Sequence, residues 1–360
     1  MLRYEPAVFA VGNDYQIAVT SKAQAFISIR IGDELFLDES NGILCSASKT
    51  HIFAVPQELL NREKHYTVIE KGIIKRLPYF SKTRADKFYE YDFIPVSGEN
   101  PKCYHIADAH NLVDEPVAAA RAFGDFDFLI LNGDIPNHTG RPENLYVVFD
   151  IISKLTGGKI PVVFSRGNHD LRGVCAEMFA QYTPSRNGRT YYTFRLGGIW
   201  GICLDCGEDK PDSHEEYGCT VACHQFRLKE TEYLKEVIAN ARNEYAAPGV
   251  THRLVIAHNP FTRRYEPPFN IEEDIYSEWA RLLKENVKPD LMICGHTHRY
   301  SIDEVGGRED ALGQPCDVVV ASQKDGNTVG GAGFVFRDGE IGITFCDNKG
   351  FFENKTVTKH

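Results

Sequence analysis

Two histidines stand two residues apart in the segment ICGHTHRY, residues 293–300, directly after an apolar run. If that run is a β-strand, the alternation of side chains puts His296 and His298 on the same side of it. Two imidazoles in one small space suit a metal ion, but histidines near strand ends are more commonly ordinary hydrogen-bonding residues. The pair alone therefore does not distinguish a metal site from a polar surface.

Side chains that can bind metals follow five apolar runs of the chain. An Asp or Asn in such a place is often a helix cap or a turn residue. Because the carboxyl ends of strands in an open α/β sheet border one crevice, five such runs predict convergence on a common site. The residues are Asp108 and His110 after YHIA, Asp134 after FLILNG, Asn168, His169 and Asp170 after PVVFSRG, His258 after RLVIA, and His296 and His298 after LMICG.

These side chains offer nitrogen and oxygen ligands without any thiolate. Such a set suits Mn, Fe, Zn, Co or Ni and disfavours copper(I). The ligands are too many for one open metal site, and an aspartate can bridge two ions. The residues therefore favour a pair of metals that clamps a phosphoryl group.

The elements that carry these residues change in character along the chain. Short β-branched and aromatic runs predict a small all-β sandwich over residues 1–96, with a turn at Asn41-Gly42. The polar segment 97–102, SGENPK, is predicted to be a linker. From residue 103 to 360 apolar runs alternate with helical stretches and hairpin-like runs, which predicts an α/β domain with mixed sheets. The helical stretches are 113–123, 143–155, 220–246 and 273–286, and the last eight residues are expected to fray.

Charge and composition exclude several classes of protein. The net charge is −10 and no block of consecutive Lys or Arg forms a phosphate-tracking stripe, so a nucleic-acid partner is not expected. The N-terminus lacks the apolar core of a signal peptide, and no apolar run approaches the length of a membrane span. We therefore expect a soluble cytoplasmic protein without a membrane partner, and the sequence does not indicate its oligomeric state.

The spacing CxxC followed by CxxxCH is typical of a zinc site. It is formed by Cys203, Cys206, Cys219 and Cys223. Cys203 and Cys206 fall at the end of a strand-like run, where positions three apart face opposite sides. Reduced, unpaired thiols are the favoured interpretation.

The ordered blocks of the chain resemble those of the calcineurin-like metallophosphoesterase superfamily over roughly residues 100–300. The resemblance implies a four-layer αββα sandwich of two mixed sheets. The front β-region resembles, in composition only, the fibronectin-III-like module of purple acid phosphatases. The blocks are Asp108-x-His110, Gly133-Asp134, Gly167-Asn168-His169-Asp170, His258 and Gly295-His296-x-His298.

The resemblance also implies roles for individual residues and two bound metal ions, divalent or trivalent, from Mn, Fe, Zn or Ni. His169 would stabilise the phosphoryl oxygens or protonate the leaving group, and Asp170 would orient it. The ligands would be Asp108, His110 and His298 for the first ion and Asn168, His258 and His296 for the second, with Asp134 as the bridge.

A dinuclear site of this kind implies hydrolysis of a phosphodiester or a phosphomonoester. Two ions lower the pKa of a shared water from about 15.7 to about neutral, and the bridging hydroxide attacks phosphorus. Purple acid phosphatases carry a tyrosine ligand where this chain has Asn137, and a DxG block where it has His110. A purple Fe(III)–tyrosinate centre is therefore not expected.

Substrate contacts are less well indicated. Arg166 and Arg172 could grip a phosphate bidentately, but a surface ion pair is the commoner role for such arginines. His138 could touch substrate, but an ordinary surface loop histidine is the favoured interpretation. The acidic segment 206–218 is either a wall of the site or a solvated insertion. Two further interpretations stay open: a non-catalytic interaction protein that keeps the fold and the metals, and a metallohydrolase that acts on a bond other than a phosphoester.

Overall fold

The computed structural model describes residues 1–40, 42 and 44–359. Asn41 of the turn predicted at Asn41-Gly42 lies outside the described residues. The elements, in chain order, are β1 (Ala7–Val11), β2 (Asp14–Ile31), β3 (Glu34–Leu37), β4 (Ser48–Pro56), α1 (Gln57–Glu63), β5 (His65–Lys75), β6 (Lys82–Thr83), β7 (Lys87–Asp92), β8 (Lys102–Ile106), α2 (Asp114–Phe123), β9 (Phe128–Asn132), α3 (Pro142–Thr156), β10 (Val162–Ser165), β11 (Tyr192–Leu196), β12 (Ile199–Leu204), α4 (Cys223–Ala239), β13 (His252–Ala257), α5 (Glu273–Leu282), β14 (Leu291–Cys294), β15 (Ser301–Asp303), β16 (Val318–Val320), β17 (Gln323–Asp325), β18 (Thr328–Arg337), β19 (Glu340–Asp347) and β20 (Phe352–Thr358).

The described strands form two mixed sheets. Sheet 1 has 14 strands and runs β20-β19-β18-β8-β9-β10-β1-β2-β5-β6, with β3, β4, β7 and β17 attached to it, and sheet 2 runs β11-β12-β13-β14-β16-β15. The strands β8, β9 and β10 are parallel neighbours in sheet 1, as β12, β13 and β14 are in sheet 2. Their carboxyl ends therefore lie at one rim of each sheet.

Three apolar cores separate four layers. The central core lies between the sheets, where Phe128 and Ile130 of sheet 1 belong to the same cluster as Ile256 and Ile293 of sheet 2. Helices α2 and α3 cover the outer face of sheet 1, and α4 and α5 cover the outer face of sheet 2. Strands buried on both faces read as continuous apolar runs, which explains the pattern seen in the sequence. The predicted four-layer αββα sandwich of mixed sheets is confirmed.

The N-terminal β-region is hydrogen-bonded to the rest of sheet 1. Strand β1 lies between β10 and β2, with Phe9 opposite Val162 in a parallel pair. Strand β2 is one continuous 18-residue strand. Lys102, placed in the predicted linker, begins β8. The division of the chain at residues 96 and 102, and the likeness to a fibronectin-III module, stay predictions.

Two predicted boundaries are wrong. The helix predicted over residues 220–246 is α4, which ends at Ala239 because the chain turns at Asn240, whose backbone N–H bonds carbonyls of the last turn. The tail predicted to fray forms β20 up to Thr358, held by backbone pairing with β19 over seven positions. Within the described residues, no helix combines the length and the apolar character that a bilayer span requires.

Candidate metal centre

The loops that follow five parallel strands meet at the rim shared by the two sheets. Sheet 1 contributes the loops after β8, β9 and β10, and sheet 2 contributes those after β13 and β14. All seven predicted ligands lie within this cluster. They are Asp108, His110, Asp134, Asn168, His258, His296 and His298.

Asp108 Oδ1 stands at the centre of three histidines. Its distances are 3.2 Å to His298 Nε2, 3.7 Å to His258 Nε2 and 4.0 Å to His110 Nε2. The nitrogens His110 Nε2 and His298 Nε2 face each other at 3.2 Å. An arrangement in which several lone pairs point at one small volume suits a cation.

A second group lies on the other side of Asp134. Asp134 Oδ2 is 3.2 Å from His258 Nε2, and the rings of His258 and His296 are nearly perpendicular with centroids 5.4 Å apart. His296 Nδ1–H donates to Asn168 Oδ1 at 3.2 Å. The same Asp134 carboxylate lies 3.9 Å from His169 Nε2 and belongs to a group with His110 as well. Asp134 therefore sits between the two sets of predicted ligands.

Several buried polar atoms in this cluster lack a well-directed hydrogen bond to the described residues. Asp108 Oδ1, His110 Nδ1 and His258 Nε2 have no partner with hydrogen-bond geometry among the described residues. An unsatisfied buried donor or acceptor costs about 1–3 kcal/mol. A bound metal ion would satisfy Asp108 Oδ1 and His258 Nε2, so the donor set fits a metal centre.

The backbone of the cluster adopts a conformation that is unfavourable for most residues. Asp108, His110, Asp134, His296 and His298 have φ values of 56°, 45°, 53°, 70° and 58°. Such strain costs of order 1 kcal/mol or more per residue and is concentrated at functional sites. It also corrects the interpretation of the HxH pair: β14 ends at Cys294, so loop geometry rather than strand alternation directs these two histidines.

Glycines allow the loops to approach each other closely. A Cβ atom on Gly133 would lie 2.5 Å from the backbone nitrogen of Gly167 and 2.7 Å from His258 Nδ1. A Cβ atom on Gly167 would lie 2.3 Å from Asp134 Oδ1. Both contacts are shorter than atoms tolerate, so the glycines of the GD and GNHD blocks are required for the packing of the site.

Charges within the cluster displace the pKa values of its members. Burial disfavours protonation of His258, but Asp134 and Asp108 outweigh burial and raise its pKa to about 10. Burial raises the pKa values of the two aspartates, and the charge of His258 more than reverses this, so both pKa values fall below the usual range. Burial lowers the pKa values of His110 and His296 to about 4. At neutral pH the carboxylates are therefore ionised and these two imidazoles are neutral, as metal ligands must be.

Two residues that the sequence analysis did not select hold the ligands in place. Asn132, the last residue of β9, accepts His258 Nδ1–H on its backbone oxygen at 2.7 Å. Its side-chain amide donates to the carbonyls of Ala257 at 3.2 Å and Ile293 at 3.1 Å, so it links sheet 1 to two strands of sheet 2. Ser322 donates to Asp108 Oδ2 at 2.5 Å. Both residues follow apolar runs, which is the signal that could have identified them.

His169 is oriented by a backbone carbonyl. Its Nδ1–H donates to Asn137 O at 2.8 Å, which leaves Nε2 as the acceptor of a 3.2 Å bond from Arg172. Among the described residues no hydrogen bond joins Asp170 to the His169 ring, and the orienting role of Asp170 stays a prediction. Its carboxylate accepts from the backbone N–H groups of Gly167 at 2.7 Å and Asp134 at 3.2 Å, and so fixes two loops of the cluster.

The three predicted substrate residues have different surroundings. Arg166 Nε–H donates to Oδ2 of the buried Asp205 at 2.7 Å, so part of its guanidinium is already occupied by a protein partner. His138 is exposed, and its ring accepts from the backbone of Gly140. Arg172 reaches the cluster through His169. Arg166 thus forms an ion pair, with a buried rather than a surface partner, and His138 fits the interpretation as a surface loop histidine.

The acidic segment 206–218 borders the site. Glu208 is buried and pairs with both ends of the Arg172 guanidinium at 3.0 and 2.8 Å. Asp209 Oδ2 lies 4.0 Å from His296 Nε2. Asp209 also lines a pocket beside His296 whose other walls include Asn259, Phe261, Tyr265 and Phe269. Of the two interpretations of the segment, the wall is favoured.

The cysteines of the zinc-like spacing are free thiols. Cys203, Cys206 and Cys223 are buried and Cys219 is exposed. Cys223 Sγ accepts from the backbone N–H of Glu208 at 3.4 Å. It therefore helps to anchor the acidic segment.

Comparisons with known proteins agree with this geometry. The calcineurin-like phosphoesterase family matches residues 101–300, which is more than half of the chain. A protein of Rhodopseudomonas palustris, named a probable cyclic nucleotide phosphodiesterase, is 25% identical over 203 residues, which span 55% of this chain and 66% of that protein, just under two thirds of its length.

The fold has a solved counterpart. A purple acid phosphatase from yellow lupin (Lupinus luteus) seeds superposes with a TM-score of 0.61 and 14% identity, over 99% of this chain and 74% of that one. Since the family match covers every block from Asp108 to His298, the chain belongs to the calcineurin-like phosphoesterase family.

Proposed function

We infer that this protein is a metal-dependent phosphodiesterase that uses two metal ions. The observation that carries the inference is the convergence of seven nitrogen and oxygen ligands on one cluster, in which the buried Asp108 Oδ1 and His258 Nε2 have no well-directed hydrogen bond to the described residues. The family to which the chain belongs supports phosphoester hydrolysis. The yellow lupin enzyme supports the fold alone.

The positions of the ligands support a division into two sets. Asp108, His110 and His298 would hold one ion, Asn168, His258 and His296 the other, and Asp134 would contact both. The ions, when bound, supply Lewis-acid activation of water and neutralise the charge of the phosphoryl group. Asn132 O fixes the His258 ring so that Nε2 faces the carboxylates.

His169 would act on the leaving group. Its Nε2 faces Asp134 at 3.9 Å, while Nδ1 is held by the carbonyl of Asn137. With the ring protonated on both nitrogens, Nε2–H would be donated to the leaving-group oxygen or to a phosphoryl oxygen, and Nε2 would no longer accept from Arg172. Such positioned proton donation contributes about 10²–10⁴-fold to a rate.

The charges around the cluster favour a diester over a monoester. A monoester dianion brings one more negative charge than a diester and needs a further cation to compensate it. Arg166 is paired with Asp205 and Arg172 with Glu208, while Asp209 adds a carboxylate near His296. The similarity to a relative named as a phosphodiesterase agrees with this preference.

The pocket beside His296 would hold the second ester group of such a substrate. Phe261 and Tyr265 give it apolar walls. Asn259 and Tyr265 also line it, and Asn259 Oδ1 and Tyr265 OH are buried atoms without hydrogen-bond partners among the described residues. A diester has a substituent to place there after one ester oxygen is directed to His169.

The test is hydrolysis of bis(4-nitrophenyl) phosphate and 4-nitrophenyl phosphate by the protein after chelation and reloading with Mn, Fe, Zn or Ni. We expect a higher kcat/KM for the diester with the best metal. A higher kcat/KM for the monoester would reject the diester assignment. Two bound ions without hydrolysis of either compound would favour the interaction protein, and hydrolysis of an anilide alone would favour a different metallohydrolase.

A further inference from the structure

A hairpin of the N-terminal β-region projects beyond sheet 1. Strand β5 pairs with β2 only as far as Gly72, and beyond it Ile73 and Lys75 pair with the short β6 alone. None of residues 71–88 is buried. A two-stranded hairpin without a packed face is only marginally stable in water, so this segment gains little from the fold.

The tip of this hairpin exposes large apolar side chains. Tyr79 is 92% exposed and Phe80 79% exposed, and Ile74 and Leu77 beside them are about half exposed. Single exposed apolar residues are ordinary, but a contiguous group usually marks a contact surface. The group is convex, because it sits at the end of a projecting ribbon rather than in a groove.

Basic side chains surround the apolar tip. Residues 71–88 contain six Lys and Arg and one acidic residue, in a chain with a net charge of −10. Lys75, Lys82 and Arg84 form no ion pair with the described residues, while Lys71 lies 3.5 Å from Asp86. The tip is thus a local cationic region on an acidic protein, which complements an anionic surface.

We propose that the 71–88 hairpin docks on a lipid bilayer that contains anionic headgroups, with Tyr79 and Phe80 inserted at the headgroup level. Aromatic rings are favoured at that depth, and long basic side chains reach back to the lipid phosphates. Single-stranded nucleic acid fits less well, since it is bound in grooves by stacking and Ile74 and Leu77 cannot stack. The expectation of no membrane contact rested on the lack of a spanning run, which interfacial docking does not require.

The first experiment is sedimentation of the full chain with vesicles of phosphatidylcholine and phosphatidylserine. We expect binding that is lost at high salt and is absent from vesicles of phosphatidylcholine alone. Tyr79→Ser/Phe80→Ser should weaken binding on the order of tenfold or more, and Lys75→Gln/Lys82→Gln by a similar factor. The matched control Leu228→Ser/Phe352→Ser removes exposed apolar groups elsewhere and should bind as the wild type does.

A second measurement follows the insertion of the tip directly. Both native tryptophans, Trp200 and Trp279, are buried. In Phe80→Trp a new emission component should shift to the blue and be quenched by brominated lipid when anionic vesicles are added. Absence of wild-type binding to anionic vesicles, an unchanged Phe80→Trp signal, or binding that the hairpin variants retain would each overturn the proposal. Binding of single-stranded DNA through the same residues, without vesicle binding, would overturn it too.

Discussion

The rim of the αββα sandwich and the projecting hairpin differ in what they bury. At the rim, ionisable side chains are packed between two sheets and held in strained backbone conformations by neighbours such as Asn132 and Ser322. In the hairpin, apolar side chains stand in solvent and few contacts hold them. A site for metal ions requires ligands held by rigid surroundings, whereas a surface that docks on a fluid bilayer requires few contacts with the rest of the fold. Substitutions at the rim should therefore impair metal binding and hydrolysis, whereas substitutions in the hairpin should impair vesicle binding and leave stability and hydrolysis unchanged.

The largest effect is expected from Asp134→Asn. This substitution removes a charge from the carboxylate that lies between both ligand sets, so both ions should be lost together and hydrolysis should fall to background. Elemental analysis and the diester assay measure the two effects. Asp114→Asn, an exposed acid paired with Lys154, is the matched control and should change neither. Loss of a single ion would contradict the bridging position.

His169→Ala should lower turnover without releasing metal. Because its ring is held by Asn137 O and not by a ligand, we expect kcat to fall about 10²–10⁴-fold at unchanged metal content. His138→Ala, an exposed histidine of a neighbouring loop, provides the control. Full activity of His169→Ala on the aryl diester would reject the assigned role.

Asn132→Ala should weaken metal binding while leaving every ligand in place. The substitution removes two hydrogen bonds between the sheets and loosens the loop after β13, so we expect metal affinity to fall about 10–100-fold. The free energy of unfolding, measured by urea denaturation, should fall by about 1–3 kcal/mol. Asn354→Ala, on the exposed β20, is the control. Wild-type affinity would show that the link between sheets does not support the site.

The metal-free protein should lose stability as pH rises through the range in which His258 titrates. The pKa of His258 is about 10 in the folded state and 6.5 as a free side chain. Its protonation therefore contributes fully to the free energy of unfolding below pH 6.5, and this contribution disappears as the pH approaches 10. Asp170, with a pKa raised to about 8 by burial and by Asp134, adds to this decline. Asp108 and Asp134 have lowered pKa values, so they stabilise the folded protein when ionised, and this stabilisation is lost only as the pH falls into the acid range.

Metal binding near neutral pH should accordingly release at least one proton. Calorimetry in two buffers with different ionisation enthalpies measures it, and His258→Gln should reduce the number by one. No proton release, or a free energy of unfolding that does not vary with pH, would contradict the charged His258 in the metal-free state.

The smallest effect is expected from Tyr79→Ser/Phe80→Ser away from membranes. Because these side chains make few packing contacts, the free energy of unfolding, measured by thermal denaturation, should change by no more than about 0.5 kcal/mol. Hydrolysis of a soluble diester should be unaffected. A large loss of stability would mean that the hairpin supports the fold, and the contrast between the two regions would fail.

The sequence predicted the site better than the β-region. Each ligand follows an apolar run that becomes a strand buried on both faces, so the run and the polar residue after it identify both the strand and the rim. Asn132 and Ser322 also stand at the ends of apolar runs. Their roles, however, depend on hydrogen-bond partners more than 100 positions away in the chain. The orientation of His169 by Asn137 and the loop conformation of His296 and His298 arise from close approach of loops, which spacing alone cannot reveal.

The β-region was harder to predict because its strands pair with distant parts of the chain. β1 is a short apolar run that gives no local sign of joining β10, and β2 continues through the polar residues Ser21, Lys22 and Gln24. Pairing partners at long range override such local signals.

The position of β1 has a consequence for biosynthesis. Phe9 leaves the ribosome more than 150 residues before its parallel neighbour Val162. Until then the edge of β1 that pairs with β10 in the folded protein is unpaired. This apolar segment of the nascent polypeptide is therefore exposed to aggregation with other chains. Closing so long a loop is slow, and we expect it to limit the rate at which the newly made protein matures.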